Sequence, residues 1–535
     1  MAEKVIRTII PGPPGTGKTY RLIEGPNSYL RQELRKGTHP SKIAYLTFGK
    51  DPTEEVQRKL AGIVKEFPQY KLDKDFPFFS TMHAMGKRNN TKFTKNNLLT
   101  GKEWNGFKTY IQKSQGNDYF SRFPYDEKEN EDGVMTFGNQ YLKAVNLSRC
   151  RKIPLRKQHK EMLIDYPNFK YSKLEVFVNH LTQYKKTKPM FDFTDMIYLF
   201  KKDEIMKKLN LEVIFLDEAQ DLNPLQWEMF FYIEENCQRS YIAGDDDQTI
   251  FKFQGADPTP FIELNGIIDD KETTISRRVP KKIYIEALKI LNCIRERRNK
   301  KWEPKEEEGK FLNNQLFHNL NYTKGQWFLL FRWKKDNLMV KKVKEHFYRK
   351  HIYFDKGNKF LPPKLVRSLI AWKKLNNKES IRGEEISDIW EYMSGKKIKP
   401  KAKNLEKLKE ARNEQLTLEE LMAEYGILCK GKWQDCFDLI KDPGQISYIE
   451  NVEKDLNSKE KARVRIRTIH GAKGDEAENV VIFPDMPKPA WKSAARDPDT
   501  EHRMWFVAIT RAKQKVYWLN AETKNFYRIG NKRIA

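Results

Sequence analysis

The sequence predicts an α/β protein made of two parallel-sheet units, each interrupted by a mainly helical insertion. Three observations predict it. The chain opens as strand, Gly/Pro-rich turn and helix, and a second run of strand candidates begins near Arg278. Alternation of that kind is the signature of parallel sheets covered by helices. Twice along the chain this texture gives way to a long basic, helical stretch. A length of 535 residues also calls for several domains, at roughly 100–200 residues each.

In order, Val5 to Ile10 is a strand candidate, and a helical pattern runs from Lys18 toward Leu34. Ile43 to Thr47 predicts a second strand and Glu54 to Glu66 a helix. From about Asn90 to Lys188 basic and aromatic residues interleave, among them Trp104, Phe107, Tyr110, Tyr119, Phe120, Arg149, Arg151, Lys152, Arg156 and Lys157. Strand candidates return at Val213 to Leu216 and Tyr241 to Ala243. Those of the second unit are Trp327 to Phe331, Val464 to Ile469 and Val480 to Phe483. A Lys/Glu-rich stretch between about Ile370 and Asp455, with basic runs such as Lys396 to Lys403, reads as a second insertion. The first unit is therefore expected at 1–90 and 191–275, with its insertion at 91–190. The second is expected at 276–370 and 456–535, with a small insertion at 371–455.

Charge and composition narrow the function classes. The 100 Lys and Arg exceed 73 Asp and Glu, a formal net charge of +27. Such an excess points to a polyanionic partner, since basic surfaces displace the counterions of a phosphate backbone; the alternative is solubility alone. No apolar run approaches the roughly 18 residues a membrane span requires. The amino terminus lacks the long apolar stretch and cleavage site of a signal peptide, so a cytoplasmic location is expected. Five dispersed cysteines without a CxxC pair argue against a disulfide framework, structural zinc or an iron–sulfur cluster.

Gly12-Pro13-Pro14-Gly15-Thr16-Gly17-Lys18-Thr19 is a complete GxxxxGK[ST] loop between a strand and a helix. Its glycines let backbone N–H groups turn inward around phosphates, and the helix end adds positive potential. Lys18 is placed to reach β- and γ-phosphates, and the Thr19 hydroxyl to ligate Mg²⁺. Val213 to Leu216 is a buried-strand pattern that ends in Asp217-Glu218. Asp217 is then positioned to hold Mg²⁺ beside Thr19, and Glu218 to orient or deprotonate an attacking water.

The acidic motif in full is Asp217-Glu218-Ala219-Gln220-Asp221, which resembles the second motif of UvrD/Rep/PcrA-like helicases of superfamily one. Gly244 to Ala256 resembles that family's third motif, and Ser276-Arg277-Arg278-Val279-Pro280 its fourth. Thr468 to Glu476 is similar to the fifth, and Glu501 to Arg503 with Phe506 to Ala512 to the sixth. Weaker echoes are Thr47-Phe48, Thr81-Met82-His83 and Asp192 to Met196. The motifs stand in the family's order from Gly12 to Lys513, nearly the whole chain.

The resemblance implies two RecA-like P-loop motor domains with ATP and Mg²⁺ between them. It implies that Arg278 and Arg511 reach the γ-phosphate, that Gln248 senses it, and that Glu476 contacts the sugar. By matched position, Thr47, Phe48, Thr81, His83, Phe251, Phe253, Thr468 and His470 lie near a nucleic-acid track, where aromatic faces can stack on bases. The sequence also departs from the family. No glutamine precedes the phosphate loop in Met1 to Pro11, Arg277 stands where tyrosine is usual, Gln254 where arginine is common, and Asp475 where an apolar residue is common. A guanidinium plane can also stack on a base. The implied activity is ATP-dependent movement on single-stranded DNA, 3′ to 5′, by a monomer acting at single-strand/duplex junctions. Alternatives are a translocase that displaces proteins with little unwinding, and a nucleic-acid-binding protein that holds ATP as a structural ligand.

Overall fold

The computed structural model describes residues 5–48, 52–94, 96–99, 101–115, 140–164, 166–334, 337–350, 352, 354–355, 361–399, 411–454 and 462–534. Tyr119, Phe120 and the end of the Lys396 to Lys403 run lie outside the described residues.

Six strands form the first sheet: β1 (Ile6–Pro11), β2 (Ile43–Thr47), β3 (Phe79–Thr81), β4 (Val213–Asp217), β5 (Arg239–Gly244) and β6 (Ile267–Ile268). Their order is β3-β2-β4-β5-β1-β6, and every pair is parallel. All residues of β2 and β4 are buried, as expected of a parallel sheet covered on both faces. Alternate side chains feed two cores. Ile9, Leu46, Ile214, Leu216 and Ile242 pack on one face; Ile10, Tyr45, Phe215, Tyr241 and Ala243 pack on the other.

Register aligns the carboxyl ends of these strands, with Pro11 opposite Gly244 and Thr47 opposite Asp217. The Gly-rich loop, the acidic motif and the turn after Gly244 therefore emerge along one edge. That edge is where open α/β sheets bind ligands.

A small parallel pair, β7 (Ile275–Pro280) and β8 (Glu303–Lys305), leads into the second sheet. That sheet contains β9 (Lys310–Gln315), β10 (Trp327–Phe331), β11 (Phe354–Asp355), β14 (Val464–Thr468), β15 (Ala477–Ile482) and β16 (Ala512–Leu519). Its order is β11-β14-β10-β15-β16-β9, again wholly parallel. The strand expected at Val480 to Phe483 thus begins earlier and ends one residue sooner. Two parallel sheets with covering helices match the expected α/β class.

The two helical stretches differ in how they are held. Helices Gly101–Gln115, Gln140–Cys150, Leu155–Met162 and Tyr171–Thr187 enclose a core of their own, including Trp104, Phe107, Tyr141, Leu174 and Phe177. The later stretch adds a short antiparallel pair, β12 (Ile381–Arg382) and β13 (Gln415–Leu416), to its helices. Its Trp372, Trp390, Trp433 and Phe437 join Leu329, Phe331 and Tyr517 of the second sheet in one continuous core.

One expectation is corrected. The helix foreseen from Lys18 toward Leu34 is broken into a π-helix, Tyr20–Glu24, and an α-helix, Tyr29–Arg35. Gly25 is extended at φ −67° and ψ 156°, because Pro26 follows and disfavours helical backbone in the preceding residue. The buried Arg31 guanidinium satisfies the broken end, donating to the carbonyls of Ile23, Glu24 and Gly25 at 3.1, 2.6 and 2.9 Å. Among the described residues, no helix is long and apolar enough to cross a membrane, and the five cysteines are free thiols.

Candidate active site

Residues 12–19 turn off the end of β1 with Gly15 and Gly17 at φ +76° and +87°, backbone that L side chains rarely adopt. Thr16 braces the turn, its hydroxyl donating to the Pro13 carbonyl at 2.8 Å. A Cβ on Gly12 would collide with the Lys18 side chain. Lys18 Nζ lies over the loop and donates to the Gly12 carbonyl at 2.8 Å. The Thr19 hydroxyl donates to Asp217 Oδ2 at 2.7 Å. A hydroxyl and a carboxylate in direct contact at a phosphate loop are a donor set suited to a magnesium nucleotide.

Asp217 is buried at the end of β4 and also accepts from Tyr45 Oη at 2.8 Å. Burial and the adjacent Glu218 carboxylate push its pKa up. Burial works the same way on Glu218, but Lys18, Lys473 and the Gln220 amide outweigh it and hold Glu218 low. Glu218 has φ +54°, a left-handed conformation that costs a non-glycine residue about 1–2 kcal/mol. Such strain persists where the surroundings enforce it, and functional sites are where it collects.

The second unit meets this edge at several points. Ser276 Oγ donates to the Pro14 carbonyl, and the Arg277 N–H to the Gly15 carbonyl, both at 2.8 Å. A Cβ on Gly15 would stand 2.6 Å from Arg278 Cβ, so glycine there permits the close approach. The Arg277 guanidinium covers the Tyr20 ring at 4.6 Å. Arg278 Nε donates to Glu476 at 2.6 Å, and Lys513 pairs with the same carboxylate. Glu476 is thus held by two cations, which lower its pKa against the pull of burial.

Arg511, only 2% exposed, donates to the Val507 carbonyl at 3.0 Å and to Gln248 Oε1 at 2.7 Å. Burial, with Arg278 nearby, brings its pKa down to about 9, so it stays protonated at neutral pH. Lys473 crosses the same seam, pairing with Asp221 and donating to the Gln248 carbonyl at 2.7 Å.

Of the residues assigned to nucleic acid, Phe48, Phe251, Phe253 and His470 come together. Phe251 lies 5.6 Å from Phe48 and 6.1 Å from Phe253, and His470 lies 5.1 Å from Phe253. Lys473 Nζ stands 5.1 Å from the Phe251 ring. His83 is elsewhere, edge-on to Phe193 at 6.1 Å. Burial lowers its pKa to about 4. Burial likewise holds His470 well below the usual imidazole range, so both rings are neutral at pH 7. Three threonines serve the backbone. Thr81 accepts from the Ala84 N–H at 3.2 Å as a helix cap, Thr468 accepts from Gly471 at 3.1 Å, and the buried Thr47 donates to the Phe48 carbonyl at 3.5 Å.

Sequence reasoning missed Tyr45, Asp221, Lys473 and Lys300. Asp221 and Lys473 stand inside the second and fifth motifs, but their pairing across 252 positions has no local signal. Lys300 lies outside every motif. Its ammonium sits among Asp245, Asp246 and Asp247 at 2.6, 2.5 and 2.7 Å, which makes that acidic cluster a lysine site.

Comparison with known proteins agrees with this arrangement. Residues 5–268 match the UvrD/REP helicase N-terminal domain, and residues 169–523 match the UvrD-like helicase C-terminal domain. A Mycoplasma pneumoniae protein named as a probable DNA helicase II homologue is 24% identical over 280 residues, 51% of this chain and 36% of that protein. The Bacillus subtilis protein YjcD, named as a putative ATP-dependent DNA helicase, is 24% identical over 264 residues, 47% of this chain and 31% of its own length. A second Mycoplasma pneumoniae protein, named as a probable DNA helicase, is 25% identical over 258 residues, 45% of this chain and 44% of that protein. The matches span less than half the length of each of these relatives. Because the carboxyl-terminal family match alone extends over more than half of the 535 residues, this chain belongs to the UvrD-like helicase family.

Proposed function

We propose that the protein is an ATP-driven motor that moves 3′ to 5′ along single-stranded DNA and separates strands at junctions, acting as a monomer. The observation that carries this reading is the convergence of two units on one nucleotide edge. Thr19 and Asp217 come from the first, Arg511 and Lys473 from the second, and Gln248 lies between them.

In this reading the loop from Gly12 to Thr19 binds the nucleotide phosphates, with Thr19 and Asp217 as the protein ligands of Mg²⁺. The bound ion supplies charge neutralisation on the phosphate oxygens. Lys18 leaves the Gly12 carbonyl for phosphate, while Glu218, already ionised, accepts a proton from the attacking water. Arg278 and Arg511 stabilise charge that develops in the transition state, the effect expected of arginines supplied from a facing domain. Gln248 bonds Arg511 and receives Lys473 on its carbonyl, so a change at the phosphates reaches both units. Arg277 and Tyr20 flank the base, and Glu476 faces the sugar. Phe253, Phe251 and Phe48 offer stacking faces to successive bases, and the buried His470 backs Phe253.

The test is unwinding of duplexes with a 3′ or a 5′ single-stranded tail. Separation of the 3′-tailed substrate alone, dependent on ATP and Mg²⁺, is the expected result. Preference for the 5′ tail would refute the polarity. Brisk DNA-stimulated hydrolysis with neither duplex opened would instead favour a translocase that displaces bound proteins.

A further inference from the structure

Asp245, Asp246 and Asp247 follow β5 directly, and all three carboxylates are buried. One oxygen from each lies within 4.8 Å of the others. Three like charges so close in a dry site repel strongly unless a cation joins them. The Lys300 side chain, 1% exposed, fills that place and contacts all three.

Lys300 arrives on a strap, residues 295–300, that follows the helix Lys281–Leu291 of the second unit. The strap is fastened at both ends. The Arg295 and Glu296 N–H groups donate to Asp499 at 3.0 and 3.1 Å. Arg297 clamps Asp247 with two bonds of 2.9 and 2.8 Å. Arg298 donates its backbone N–H to Asp246 at 2.8 Å and its guanidinium to the carbonyls of Phe261 and Leu264 at 2.7 and 2.8 Å.

The pocket also connects inward. Lys300 holds Asp245 Oδ1, and Asp245 Oδ2 accepts from Gln248 Nε2 at 2.7 Å. Gln248 Oε1 in turn accepts from Arg511. A carboxylate only accepts and a guanidinium only donates, so these two neighbours fix which way the amide faces. Asp245 is therefore the partner that holds the Gln248 side-chain amide on the side away from Arg511.

We propose that Lys300 is a positioning residue for nucleotide hydrolysis, acting through Asp245 on the orientation of Gln248 and tying that orientation to the strap between the units. The proposal rests on the hydrolytic reading given above. Without the ammonium, the three buried carboxylates repel one another and Asp245 no longer holds its place, so the Gln248 amide loses its anchor. Nucleotide binding at the Gly-rich loop is untouched, because Lys300 contacts none of its residues.

The test compares wild type, K300M and the double variant K300M/D246N, which removes one charge of each sign from the pocket. Steady-state hydrolysis with single-stranded DNA is measured together with affinity for ADP alone and for ADP with aluminium fluoride, a transition-state mimic. Thermal melting reports stability. The expected result for both variants is a kcat about tenfold or more below wild type, with KM for ATP and affinity for ADP within about twofold. The extra affinity for the aluminium fluoride complex should fall by a similar factor. If K300M does not fold, the charge-balanced double variant carries the test. A double variant that hydrolyses at the wild-type rate would overturn the proposal and leave Lys300 a counter-ion. Loss of ADP affinity in parallel with kcat would overturn it too. Failure of the wild type itself to hydrolyse ATP is a separate outcome, which overturns the hydrolytic reading and this proposal with it.

Discussion

Replacing Asp221 with asparagine should change how stability depends on pH. Asp221 is buried and pairs with Lys473 through Oδ2, while Oδ1 has no hydrogen-bond partner among the described residues. Burial pushes its pKa up to about 7, against the opposing pull of Lys473. The folded protein therefore holds a proton that the unfolded chain, with an ordinary carboxyl near 3.8, has already released. A raised folded pKa contributes stability that is full below the unfolded value and lost as pH rises through the folded one. Between pH 5 and pH 8 the loss amounts to about 2–3 kcal/mol, from roughly two pH units at 1.36 kcal/mol each. Asparagine has no such titration, and other groups cancel in the difference between variant and wild type. Denaturation at the two pH values should therefore find D221N gaining on wild type by about that amount at pH 8. A difference that stays constant, or that moves in favour of wild type, would mean that the ion pair outweighs burial, and the reasoning would fail.

Other outcomes follow from the same geometry. Glu218→Gln keeps the Gln220 contact but removes the base, so hydrolysis should fall by about 10²-fold or more while nucleotide affinity, measured by fluorescent ADP, is retained. Arg511→Met should lower kcat by about 10³-fold or more, and equal losses in kcat and in ADP affinity would argue against a transition-state role. Phe253→Ala should weaken single-stranded DNA binding by about 1–3 kcal/mol in a fluorescence-anisotropy titration, with DNA-free hydrolysis unchanged. Full DNA affinity in that variant would assign Phe253 to the core.

Much of the fold and part of the candidate site were legible in the sequence, for physical reasons. β2 and β4 are buried on both faces, so they read as continuous apolar runs ending in polar residues. The Gly-rich loop is legible because its backbone conformation demands glycine at fixed positions. Other features depend on contacts between distant segments. Lys300 stands 53 positions beyond Asp247 on a stretch rich in charged residues, where burial leaves no mark in the local pattern. The pairing of Arg278 with Glu476 likewise needs both units in place. The break after Glu24 was written in Gly25-Pro26, and the apolar pattern on either side concealed it. Thr47 and Thr468 carry the residue type of a phosphate contact, yet both are buried, a distinction that depends on tertiary packing.

The central proposal is that the two units together form an ATP-driven motor that DNA stimulates. Its most direct test is steady-state ATP hydrolysis with and without single-stranded DNA, beside a Lys18→Ala control. The account predicts strong stimulation by DNA in the wild type and none in the control. Hydrolysis indifferent to DNA, or equal in the control, would contradict it.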